Sequence, residues 1–212
     1  MDINYFIANT SGTLSNKLSL ITSEFKKAKD IAINDLDASK IDVIFVDAPK
    51  NAIKELGVGG YTASENLIYI SIDSKHKIKE PDLESIILHE LHHAIRWRKP
   101  GFGKTLAEVM ITEGLATLFE EESTNRTPIY AKVKYSSKSL ELFKKEMNND
   151  KYSYFDWFIG GHKDVPKWFG YTYGYLLAKN LSKKSGKKSS ELVDQTIVVE
   201  FRGPDDVRLA LV

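Results

Sequence analysis

Between residues 80 and 122 the chain carries the signals of two helices, one after the other, and three of its five histidines fall inside the first. Glu80-Pro81-Asp82-Leu83-Glu84 puts a proline in an opening turn and acidic groups at the positive end of the helix dipole. Leu83, Ile87, Leu88, Leu91, Ala94 and Ile95 then recur at helical spacing as a broad apolar stripe. Arg96, Arg98 and Lys99 crowd the last turn, and Pro100-Gly101 stops the helix. Thr105-Leu106-Ala107-Glu108 is a capping box, so a second helix is expected from there to about Glu122.

His89-Glu90-Leu91-His92-His93 lies in the middle of the first of these helices, where packing would hold its geometry. Positions four apart sit about 40° apart around a helix axis, so His89 and His93 point one way and can grip one metal ion. Glu90 is one step round, placed to reach a water on that ion without ligating it. Glu113 falls on the side of the second helix shared with Leu106, Val109, Met110 and Thr117. A carboxylate on such a semi-apolar face is expensive to bury unless something neutralises it, and a metal would. Glu113 as third ligand leaves the fourth tetrahedral position for water, as catalytic zinc requires. The competing acid, Glu108, is already explained by the capping box. His92 sits off the ligand axis and reads as packing, and His76 in its lysine-rich loop reads as solvated. An amphipathic helix with satisfied histidines would spell the same letters, and the second helix is what tips the balance to a metal.

Four stretches, in order, resemble a bacterial family of zinc-dependent proteases classed as a domain of unknown function. They are Gly57-Val58-Gly59-Gly60-Tyr61-Thr62, His89 through Arg96, Glu113-Gly114-Leu115-Ala116, and Gly170-Tyr171-Thr172-Tyr173-Gly174-Tyr175, spread over roughly residues 41 to 180. The spacing of His89-Glu90-x-x-His93 and Glu113 is also similar to that of the gluzincin peptidases. The resemblance implies a zincin-like metallopeptidase fold with His89, His93 and Glu113 as zinc ligands and Glu90 as general base. Better-known gluzincins often carry an aspartate one turn after the ligand glutamate. That place is Thr117 here, which leaves open what orients the histidines.

At 212 residues and 42% hydrophobic content the chain can bury a real core. It has no cysteine, so any zinc must be held by nitrogen and oxygen ligands. The opening Met1-Asp2-Ile3-Asn4-Tyr5 has neither a basic start nor an apolar run, and no window approaches a membrane span. The expectation is therefore a cytoplasmic chain without membrane partners. A net charge of +1 gives no pull toward nucleic acid. Lys183 to Lys188 reads as a solvated helix end.

The pattern is α+β: a small N-terminal sheet with helices, the motif helix, then a mostly helical C-terminal part, all in a single catalytic domain over residues 1–212. Leu14 to about Ala38 reads as a helix broken near Asn34, with Leu18, Ile21, Phe25, Ala28 and Ala32 on one face. Residues 41–46 and 66–72 read as strands, and Gly57, Gly59 and Gly60 as a flexible turn between them. The second strand, entering the motif helix, could take an extended substrate by strand addition or be a plain core strand. Leu140 to Met147 is a short helix, and the tail from Glu191 to Val212 holds a short helix or strand. Tyr152 to Tyr175 is dense in aromatics that serve mainly as core.

The expected chemistry is hydrolysis of an amide with one zinc ion per chain, Glu90 moving the proton from water to the leaving amine. A peptide or protein substrate follows from the resemblance alone. Tyr171, opening the Gly-Tyr-x-x-Gly-Tyr run, leads as hydrogen-bond donor to the oxyanion, with Tyr175 and His162 as rivals. Two other classes compete. A degenerate peptidase fold that binds peptides or proteins would use the same ligands but has no need of Glu90. A di-iron protein could use Glu90-x-x-His93, but requires a second such motif that the chain lacks.

Overall fold

A computed structural model describes residues 3–201 and 207–211. Met1 and Asp2 of the N-terminal reading, and residues 202–206 and 212 of the tail, lie outside them. The protein is α+β, about half helical with a small mixed sheet, and divides into two compact units, Met1–Arg98 and Lys99–Val212.

The first unit is built on a four-stranded sheet in the order β1-β2-β4-β3. β1 (Ile3–Ala8), β2 (Ile41–Asp47) and β4 (Leu67–Ile72) are parallel, and β3 (Val58–Ser64) runs antiparallel to β4. Alternation in β2 buries Ile41, Val43 and Phe45 on one side, and β4 buries Ile68, Ile70 and Ile72. α1 (Leu18–Leu36) crosses from β1 to β2 and lays Phe25 edge-on against Phe45, at 6.2 Å between centroids. It is continuous through Asn34 and ends at Asp37 with φ 50°, where the Ala38 N–H donates back to Ala32 O at 3.2 Å. The buried stripe is the expected one except for Leu18, which is exposed and gives way to Glu24.

Two strands differ from expectation. β1 carries only a weak alternating pattern, and its pairing with β2 is what makes it a strand. Gly57, with φ 70°, does make a turn, but Gly59 and Gly60 belong to β3. They are there for close approach: a Cβ on Gly59 would overlap the Asn51 carbonyl oxygen, and one on Gly60 would overlap Glu90. β3, not β4, is therefore the edge of the sheet on this side. α2 (Glu80–Arg98) packs on α1 and against β3 and β4. It starts and stops where its signals place it, but it is buried all round from Ile86 to Ala94 rather than along one stripe.

In the second unit α3 (Leu106–Thr124) packs against α5 (Phe169–Ser185). The helices meet at two glycines, since a Cβ on Gly114 would overlap Gly174 O and one on Gly174 would overlap Met110 O. α4 (Ser137–Glu146), a π-helical turn at Phe155–Ile159 and the short α6 (Ser189–Leu192) complete the helical part. The tail forms an antiparallel pair, β5 (Ile197–Phe201) and β6 (Val207–Leu211). The aromatic stretch is mostly core, as expected: Trp157, Phe158, Phe169 and Tyr173 are buried, with Phe169 and Tyr173 stacked at 5.6 Å. Tyr154 and Phe155 are exposed in part.

Candidate metal centre

α2 presents His89 and His93 one turn apart, both buried, with their rings edge to face at 4.5 Å between centroids. Glu90 is buried beside them. Its carboxylate is taken by β3: Thr62 Oγ1 donates to Glu90 Oε2 at 2.6 Å and lies 3.1 Å from Glu90 O. His92 is fully buried, consistent with a packing role, and His76 lies outside any metal-binding group found among the described residues.

α3 opens with the capping box read from its sequence. Glu108 N donates to Thr105 Oγ1 at 3.4 Å, and Glu108 Oε2 accepts from Thr105 N at 3.0 Å and Lys104 N at 2.7 Å. Burial pushes the Glu108 carboxyl up, but these backbone and hydroxyl bonds outweigh it and hold the group below the usual carboxylate range. Glu108 is thus occupied at the cap. Glu113, two turns into the same helix, is buried. The Tyr154 hydroxyl donates to its Oε1 at 3.0 Å and lies 2.7 Å from the Tyr171 hydroxyl. Thr117 donates to the Glu113 backbone oxygen at 2.7 Å, so its hydroxyl is engaged within the helix.

Tyr154 is 37% exposed as a residue, yet its hydroxyl meets both Glu113 and Tyr171. Burial first, and then the Glu113 charge, push its ionisation well above the ordinary tyrosine value. Tyr152 is pushed up to about 12 by burial and by the charges of Glu113 and Glu108. Both phenols stay protonated, and Tyr154 donates to Glu113. The ring of Tyr154 stacks on Phe158 at 4.3 Å, and Phe158 meets Tyr171 edge-on at 5.2 Å.

Of the three candidate oxyanion donors, only Tyr171 joins the neighbourhood of Glu113. Tyr175 donates to Glu121 at 2.6 Å and accepts from Lys179 at 2.5 Å, and His162 Nδ1 accepts from Asp164 N at 3.0 Å within its own loop. The glycines flanking Tyr171 are explained by packing: Gly174 admits α3, and Gly170 makes room for the Phe158 ring. Thr62, Gly60 and Tyr154 escape sequence reading. Gly60 reads as part of a turn, Thr62 enters only as the end of the resembling stretch Gly57–Thr62 with no role attached, and Tyr154 is one phenol among many.

Among the described residues, His89, His93 and Glu113, all three buried, are a group that could hold a metal ion. Two imidazoles and a carboxylate are a zinc donor set, and three buried polar side chains of this kind fit a cation better than they fit one another. A family model described as "Predicted Zn-dependent protease (DUF2268)" matches residues 16–197. The chain belongs to that family, which extends well beyond the four stretches that resembled it. No curated protein and no solved structure matches the chain. Among the described residues no helix is long and apolar enough to cross a membrane.

Proposed function

We propose that the protein is a zinc peptidase of gluzincin type, with a zincin-like catalytic domain spanning residues 1–212. His89, His93 and Glu113 hold one zinc ion, which when bound supplies a Lewis acid for the scissile carbonyl and lowers the pKa of water toward ~7. Glu90 takes the proton of the attacking water and hands it to the leaving amine. Tyr171, next to Tyr154, donates to the oxyanion. The substrate is a peptide or protein, and β3, the edge strand, is where an extended chain would add.

The observation that carries this reading is that a buried metal-capable triad is accompanied by a carboxylate that is not part of it and is held in place by Thr62. A binding module stabilised by zinc needs the triad and not Glu90.

The test is digestion of a broad peptide library by zinc-loaded protein, with and without a chelator, beside Glu90→Gln. Cleavage that the chelator abolishes, and that Glu90→Gln loses while still binding one zinc per chain, is the expected result. Zinc binding with no cleavage of any peptide favours the degenerate binder, and loss of zinc in Glu90→Gln overturns the role given to that residue.

A further inference from the structure

The edge strand β3 reaches the proton-carrying carboxylate through two residues that zinc chemistry does not call for. The Thr62 hydroxyl has one hydrogen to give and two acceptors in range, Glu90 Oε2 at 2.6 Å and Glu90 O at 3.1 Å. The shorter bond is the stronger, so Oε2 takes the hydrogen. Gly60 stands two positions earlier, on the same face of the strand. The volume a Cβ would fill there is occupied by Glu90 Cγ, Cδ and Oε1. One β3 residue therefore binds one carboxylate oxygen, and the missing side chain of another receives the rest of the group.

We propose that Gly60 and Thr62 form a cradle that fixes the Glu90 carboxylate in a single orientation, with Thr62 as a positioning residue. Oε2 is held by the hydroxyl, and Oε1 is left as the oxygen that accepts the proton. The catalytic consequence rests on the peptidase reading; the cradle itself does not. A glutamate side chain has several rotamers, and a base displaced by about 1 Å can cost roughly 100-fold in rate. The same cradle ties the chemistry to the strand proposed to seat the substrate, so the base and the extended peptide share one rigid reference.

The experiment compares wild type, Thr62→Val, Thr62→Ser and Gly60→Ala, each zinc-loaded, on a peptide drawn from the library digestion. Thr62→Val keeps the shape and removes the donor. It is expected to lower kcat roughly 10- to 100-fold with KM changed less than about twofold, and Thr62→Ser is expected to recover most of kcat. Gly60→Ala leaves the hydroxyl in place and crowds Oε1, so it too lowers kcat. Full kcat in Thr62→Val, or a loss that appears in KM alone, overturns the proposal. A second measurement needs no turnover: urea unfolding of the metal-free wild type, Thr62→Val, Glu90→Ala and the double variant. Thr62→Val should cost less than half as much when Glu90 is already alanine, and equal costs in the two backgrounds overturn the cradle. Should the wild type cleave nothing, the peptidase reading falls and the unfolding cycle still decides.

Discussion

A carboxylate that ligates a metal with one oxygen needs a partner for the other, and if Glu113 is the ligand proposed above, the Tyr154 hydroxyl, 3.0 Å from its Oε1, is that partner. Donors of this kind orient the ligand, and removing one typically costs about 10- to 100-fold in metal affinity. Tyr154→Phe keeps the stack on Phe158 and deletes only the donor, so its zinc affinity, read by competition with a chromophoric chelator, should fall in that range. Tyr171→Phe separates two roles. If the Tyr171 phenol donates to the oxyanion, kcat drops roughly 10- to 1,000-fold with zinc affinity near wild type. If it serves only to hold Tyr154, the variant reproduces the affinity loss of Tyr154→Phe, and the oxyanion role fails. Sequence reading reached Tyr171 through the Gly-Tyr-x-x-Gly-Tyr run and missed Tyr154, because a π-helical turn brings Tyr154 to Glu113 and no repeat in the letters marks that turn.

At the level of elements, local signals placed most helices well and strands less well. Caps, prolines and charged ends decide where α2 and α3 begin and end, and those act between residues a few positions apart. The membership of β1 is decided by a distant partner, Ile3 pairing with Ile41 in β2, and in β3, which pairs with its neighbour β4, the glycines that weaken the strand pattern are required by Asn51 and Glu90. The capping box can be tested directly. Glu108→Ala should cost about 0.5–2 kcal/mol of stability in metal-free protein. Its folded ionisation lies below the ordinary 4.5, so this stabilisation is present above that pH and is lost as pH falls through the lowered value. The deficit of Glu108→Ala, from thermal melts, should therefore shrink between pH 7 and pH 4, and a deficit that grows on acidification contradicts the cap. Gly174→Ala probes the α3–α5 contact. Its Cβ would overlap the Met110 carbonyl, which is backbone and cannot swing aside, so the helices must part, at about 1–3 kcal/mol.

For the molecule as a whole, a group able to hold a metal was legible before the fold because metal chemistry permits few residue types and a helix converts spacing into direction. His89, His93 and Glu113 could be singled out as candidates for that reason, and Glu108 could be set aside by its place in the capping box. What holds the site was not legible, since Thr62 reaches from β3 to Glu90 on α2, 28 residues on, and Tyr154 reaches Glu113 from forty-one residues away. The proposed zinc site has a consequence for overall stability that needs no substrate. A ligand that binds only the folded chain stabilises it by RT ln(1 + [L]/Kd), about 2.7 kcal/mol when free zinc is one hundred times Kd. Wild type should therefore melt several degrees lower in chelator than in excess zinc, and Glu90→Gln should show the same interval because its triad is intact. His89→Ala, His93→Ala and Glu113→Ala should lose most of the interval, and Glu108→Ala should keep it while melting lower in both conditions. Scanning calorimetry of the six proteins with and without zinc measures this, and a Glu113→Ala variant that keeps the full zinc-dependent shift would remove that residue from the ligand set.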